Sequence, residues 1–171
     1  MSRHENSCGI GKEHPRSHEI QFFCVVFFAV VWGIDSFLLN LTTQLASEIH
    51  LVFRLLIFVL LALIAFRLAN GSHKLVIEGV DKNHPKVVTK DVYALVRHPM
   101  YLTYIVGFIA FIQLTMSFIS IIPFVISVIL LNMIAAYEEN ELIKILGQEY
   151  IDYKNKVPRW IPNPFKFFRR D

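Results

Sequence analysis

The stretch MYLTYIVGFIAFIQLTMSFISIIPFVISVILLNMIAAY, residues 100–137, runs without one Asp, Glu, Lys or Arg. A water-facing segment of that length would carry charge on its outer faces, so this one is built for a lipid solvent. Its middle, Thr115 to Ser120, holds three hydroxyls and a methionine, and Pro123 follows. Proline in a first helical turn removes no hydrogen bond the helix needs. The stretch therefore divides into two spans of about 100–116 and 118–137 joined by a tight hairpin. Two more apolar runs, about 20–41 and 49–69, lie upstream. Each is near the about 17–25 residues that an α-helix needs to cross hydrocarbon. Backbone groups in hydrocarbon must be satisfied within their own segment, and runs this long exceed the strands of a membrane barrel. The expected fold is all-α: an integral membrane bundle of four transmembrane helices, residues 20–171, forming one domain.

Composition agrees. Hydrophobic residues make up 54% of the chain and charged residues 18%, against about 45–50% and 25% in soluble domains. Fifteen phenylalanines suit lipid-facing helices. Residues 1–19 form a polar tail, and the first apolar run lacks the small-residue cleavage pattern of a signal peptide. Cys8 and Cys24 fall in different environments and are expected to be free.

Basic residues set the orientation. Arg3, Lys12 and Arg16 precede the first span. Arg67, Lys74, Lys82, Lys86, Lys90 and Arg97 lie in or beside the 70–99 linker. Lys144, Lys154, Lys156, Arg159, Lys166, Arg169 and Arg170 lie in the 138–171 tail. The turn between the last two spans has none. The positive-inside rule places both termini and the linker in the cytoplasm, as an even number of spans requires. Residues 138–153 read as an amphipathic cytoplasmic helix, ended by the prolines at 158, 162 and 164. The terminal FKFFRR, residues 165–170, suits an anionic membrane surface. Asp35 and Arg54 sit near the ends of the first two spans, where snorkelling or pairing with each other is the plain expectation.

Two polar clusters fall at the same end of the hairpin: VVTKDVYALVRHPMY, residues 87–101, and YEENEL, residues 137–142. Each residue has a structural explanation. Arg97 can be an interfacial anchor, His98 a turn residue before Pro99, and Glu138 and Glu139 part of a solvated helix end. Tyr93, Tyr101 and Tyr104 can belong to an interfacial aromatic belt. His98 and the N-terminal Cys8, His14 and His18 have no metal-ligand spacing, and no metal is expected. No span interior carries the ionisable residues of a transport pathway.

Taken together, these blocks resemble the isoprenylcysteine carboxyl methyltransferase family, within the wider membrane methyltransferases that include phospholipid methyltransferases. The resemblance spans residues 82–162. It runs through Val87-Val88-Thr89, Val92-Tyr93, Arg97-His98-Pro99-Met100-Tyr101, Glu138-Glu139, Leu142, Gly147, Glu149-Tyr150, Tyr153, Lys156-Val157-Pro158 and Ile161-Pro162. The chain departs from many members in having Asp91 and Thr103 where they carry glycine. Ile134, Ala135 and Ala136 stand where an arginine is common.

The resemblance implies methyl transfer from S-adenosylmethionine. The chain has no GxGxxG fingerprint and no βαβ unit, so linker and tail would have to build the cofactor pocket. By resemblance that pocket comprises Tyr93, His98, Pro99, Tyr101, Glu138 and Glu139. Arg97, Glu139 and Arg159 are the candidate catalytic residues, the arginines because a guanidinium matches the geometry of a carboxylate. The expected acceptor is a lipophilic small molecule or lipidated species reached from the bilayer, with an isoprenylcysteine-like carboxylate leading. A phospholipid amine is the alternative and would need a proton removed, by His98 or a glutamate. A non-catalytic membrane scaffold is the alternative of another class. The membrane is an expected partner and nucleic acid is not.

Overall fold

The computed structural model describes residues 14–78 and 86–161. Cys8, Lys82, Pro162, Pro164, the FKFFRR segment and most of the N-terminal tail lie outside the described residues. The regular structure among those described is helical, with no strand among them. Helix α1 covers Ser17–Gly33 and continues as a π-helical stretch, Ile34–Leu39. Helix α2 covers Leu51–Glu78, α3 Val92–Leu95, α4 Pro99–Thr115, α5 Ile121–Leu146 and α6 Gln148–Lys156. Short 3₁₀ turns, Gln44–Ala46 and Phe118–Ser120, sit in the connections.

Among the described residues, three segments are long and apolar enough to cross a bilayer: Ser17–Leu39, Leu51–Ser72 and Phe118–Leu146. Helix α4 is apolar but has only 17 residues. At 1.5 Å per residue it is about 25 Å long, short of the about 30 Å hydrocarbon thickness. The apolar faces of these helices point outward. Phe22 is 72% exposed, Leu38 74% and Phe53 64%, a pattern stable only when lipid covers it. This is a membrane protein.

The chain divides into two compact units. One comprises residues 16–67 and 101–134; the other comprises residues 68–100 and 135 onward, with the segment before residue 16. In the first, Cys24, Phe28 and Phe108 form a buried core, with Ile20, Trp32, Tyr104, Ile112, Phe124 and Leu130 packed around it. The Phe28 and Phe108 rings stack at 4.3 Å, and Cys24 is a buried free thiol.

Asp35 and Arg54 also belong to this unit, and each is met by different partners. The Asp35 carboxylate accepts from Leu41 N (2.9 Å), Thr42 Oγ1 (2.6 Å) and Ser117 Oγ (2.6 Å). Arg54 Nη1 donates to the Leu114 carbonyl at 2.7 Å. Trp32 Nε1 donates to Phe111 O at 3.2 Å and to Thr115 Oγ1 at 2.9 Å. A helix end leaves carbonyls without partners, and in an apolar surrounding they must be met by side chains. The two ions are therefore used locally, as a loop knot and a helix cap.

The fourth helix differs from its expected bounds. It runs to Leu146 rather than ending near residue 137, and the expected 138–153 helix is split at Gly147. Gly147 has φ +57, a conformation that glycine adopts without a Cβ penalty. Helix α6 starts afresh beyond it.

Candidate active site

The second unit gathers most of the residues singled out in the sequence. The chain enters through Asp91, whose φ of +50 and ψ of −124 make it the N-cap of α3 without a side-chain capping bond. Helix α3 lies tight against α2: a Cβ at Gly71 would meet Val92 Cγ1 at 2.7 Å. Only a glycine allows this approach. After α3, Val96 is buried and the backbone turns out, with Arg97 N donating to Pro158 O at 3.0 Å. That bond ties the RHP segment to the stretch after α6.

Glu139, on α5, is the hub, and its side chain is fully buried. Arg97 Nε and Nη2 reach its Oε1 at 3.1 and 3.0 Å. Arg159 binds both oxygens, Nε to Oε1 and Nη2 to Oε2, each at 2.8 Å. His98 Nε2 lies 3.2 Å from Oε1, and Lys154 Nζ lies 3.2 Å from Oε2. Arg97 Nη1 also caps the end of α6, donating to Lys154 O at 2.7 Å and Val157 O at 2.8 Å. A bidentate arginine–carboxylate pair is both strong and geometrically demanding. The hub therefore fixes three segments distant in sequence: the RHP turn, α5, and α6 with the stretch that follows it.

Glu138 points elsewhere. Consecutive helical residues diverge by about 100°, so while Glu139 is buried, Glu138 keeps 18% of its side chain exposed and lies 3.7 Å from His98 Nδ1. His98 is thus flanked by two carboxylates. Burial holds its pKa below the ordinary imidazole value, helped by Arg159 and Arg97 and opposed by Glu139. The folded state keeps the ring neutral near pH 7. The neutral tautomer that suits Glu139 donates from Nε2.

Aromatic side chains surround these groups. Trp160 lies 5.9 Å from His98 between ring centroids, and Tyr150 lies 5.8 Å from Tyr153. Tyr153 OH donates to Tyr93 O at 2.7 Å. Burial pushes the phenols of Tyr150 and Tyr153 above their ordinary range. They are neutral at any physiological pH. Before α1, His14 packs edge-on against Tyr137 at 5.0 Å.

The structure thus brings together Tyr93, His98, Pro99, Glu138, Glu139, Arg97 and Arg159. Tyr101, in the first turn of α4, is buried and belongs to the other unit. Lys154 and Trp160 were not expected at the site. Lys154 could have been found from helical spacing, because Tyr150, Tyr153, Lys154 and Val157 stand at i, i+3, i+4 and i+7 and share a face. Among the described residues, no group of three or more His, Cys, Asp or Glu side chains is arranged to hold a metal.

A family model described as phospholipid methyltransferase matches residues 49–149, more than half of the chain. The chain belongs to the phospholipid methyltransferase family. This is the wider group that the sequence blocks resembled. Over 84 residues, 47% of its length, the chain is 31% identical to protein-S-isoprenylcysteine O-methyltransferase B of Arabidopsis thaliana. Over 84 residues, 49% of its length, it is 34% identical to methanethiol S-methyltransferase 1 of Bradyrhizobium diazoefficiens. The aligned parts cover 42% of the first relative and 29% of the second. No solved structure matches. The family segment includes the RHP turn and both glutamates; Lys154 and Arg159 lie beyond it.

Proposed function

We propose that this protein transfers a methyl group from S-adenosylmethionine to a lipophilic acceptor in the membrane, with an isoprenylcysteine-like carboxylate as the leading acceptor. The observation that carries the proposal is the buried Glu139 hub. It holds the RHP turn, the glutamate pair and the end of α6 in one rigid arrangement, in a membrane protein of this family. In the same proposal α4 is a fourth span, the termini are cytoplasmic, and α6 lies on the cytoplasmic side, where the donor is soluble.

The side chains fit such a donor by their chemistry. Glu138 offers a partly exposed carboxylate suited to an ammonium group or ribose hydroxyls. The faces of Tyr93, His98 and Trp160 suit a flat base and a sulfonium charge. When bound, S-adenosylmethionine supplies an electrophilic methyl group on a positively charged sulfur. The work left to the protein is alignment and exclusion of water.

Glu139 and Arg97 serve that work as positioning residues, since Arg97 uses Nε, Nη1 and Nη2 within the cluster. Arg159, with 22% of its side chain exposed, is the more open guanidinium. A carboxylate acceptor is ionised at neutral pH and needs no base. N-methylation of a phospholipid headgroup is a second reading, favoured by His98: a buried imidazole held neutral beside Glu138 is a competent proton acceptor.

Calorimetric binding of S-adenosylmethionine to the detergent-purified chain tests the proposal. Wild type binds, and Glu138→Gln weakens binding by about tenfold or more, the worth of one charge-assisted hydrogen bond. A folded wild type that does not bind it refutes the proposal and favours a non-catalytic scaffold.

A further inference from the structure

Helix α6, with the stretch that follows it, and the 87–97 segment are joined in register. Val87 N donates to Glu149 Oε1 at 3.1 Å. Tyr153 OH donates to Tyr93 O at 2.7 Å. Arg97 N donates to Pro158 O, and Arg97 Nη1 to Lys154 O and Val157 O. The contacts therefore follow the same order along both segments. Glu149 and Tyr153 stand at i and i+4, so they project from one face of α6.

Between the first two contacts lies the strained turn into α3. Asp91 sits there at φ +50. A residue with a side chain stays in so sparsely populated a conformation only where its surroundings over-determine it. Helix α3 has four residues, far fewer than the about 12–15 that make a helix even marginally stable alone. On one side, Val92 packs close against Gly71 of α2. On the other, the buried Tyr153 meets the carbonyl of Tyr93. In a longer helix that carbonyl would accept from the amide of Arg97, four residues on. Here that amide goes to Pro158 O, and the Tyr153 hydroxyl takes its place. Glu149, which is exposed, holds the segment ahead of the strained residue.

We propose that Tyr153 is a positioning residue for the methyl donor: by holding the Tyr93 carbonyl it sets the direction of the Tyr93 ring, with Glu149 securing the near end of the same segment. The proposal rests on the function above, which sets Tyr93 against S-adenosylmethionine. Tyr153 and Glu149 act through the backbone on either side of Asp91. Helix α6 thereby takes part in donor recognition, although Tyr153 lies beyond the residues matched by the family model.

Two readouts on the full chain in detergent test this: hydrogen exchange of the donor-free protein, and calorimetric binding of S-adenosylmethionine. Tyr153→Phe removes one hydroxyl and keeps the ring. It speeds exchange at the amides bonded within the turn and α3, those of Tyr93, Ala94 and Val96. It weakens donor binding about five- to tenfold, the worth of one hydrogen bond. In a Tyr93→Leu background the same change costs no further affinity, because the ring it orients is gone; a purely structural role would cost as much in either background. Glu149→Ala is an exposed change that leaves the core intact. It speeds exchange at Val87 and weakens the donor about twofold or more, whereas Glu149→Gln keeps an acceptor oxygen and behaves as wild type. Should Tyr153→Phe fail to give a monodisperse peak on size exclusion, Glu149→Ala decides. The proposal is overturned if the folded variants bind the donor as wild type does, or if their loss is undiminished in Tyr93→Leu. A wild type that binds no S-adenosylmethionine reads differently: it overturns the proposed function, and the positioning role falls with it.

Discussion

Replacing Asp91 with glycine should stabilise the protein. Asp91 sits at φ +50 and ψ −124. That is far from the left-handed helical well near ψ about +47, which asparagine and aspartate tolerate. It lies instead in territory that glycine enters freely. Holding a side-chain-bearing residue there costs about 1–3 kcal/mol. Glycine removes that strain but brings an unfolded chain with more freedom to lose, about 0.5–1 kcal/mol. No side-chain capping bond is lost, because Asp91 makes none to α3. The net gain is up to about 2.5 kcal/mol. At about 2–4 °C per kcal/mol for a chain of this size, the melting temperature rises by up to about 10 °C. A thermal scan in one fixed detergent, followed by tryptophan fluorescence, measures it. Asp91→Ala keeps the Cβ and therefore the strain, so it should melt at or below wild type. The reasoning fails if glycine melts lower than wild type, or if alanine gains as much as glycine.

Other perturbations separate packing from charge. Gly71→Ala should lower the melting temperature by driving a methyl into Val92, an overpacking cost of about 1–3 kcal/mol; a second change, Val92→Ala, should recover most of it, and additive losses would exclude the contact. Glu139→Leu should leave three cations around a missing carboxylate, costing about 3–5 kcal/mol, with loss of the monodisperse peak on size exclusion as the readout. His98 has a folded pKa below its ordinary value, so the unfolded chain takes up the proton first. Its contribution is whole above about pH 6.5 and is lost as pH falls through the lower folded value. Melting temperature followed from pH 7.5 to 5 should therefore drop more steeply in wild type than in His98→Asn, and parallel curves would contradict the buried neutral ring.

Much of the membrane architecture is legible in the chain because spanning helices are defined by local composition. The runs at 20–41 and 100–116 lie within a few residues of the helices at Ser17–Leu39 and Pro99–Thr115. Where composition changes without breaking the helix, legibility ends. Glu138 and Glu139 look like an exit from the bilayer, yet α5 continues to Leu146, since nothing before Gly147 opposes helical dihedrals. The departure from glycine at Asp91 was visible as a motif mismatch, but only the backbone angle turned it into strain.

The candidate site divides in the same way. Adjacency in sequence was enough to join His98 to Arg97 and Glu138 to Glu139, and helical geometry was enough to part the two glutamates. Which of them would be buried, and that Arg97, Lys154 and Arg159 would converge on it, required α5 and α6 to be set against the RHP turn. Hydrophobic spans are determined by the sequence alone because lipid solvates each residue independently. A buried ion cluster depends on tertiary structure because one charge is tolerated there only when segments distant in the chain bring their opposite charges within about 3 Å of it.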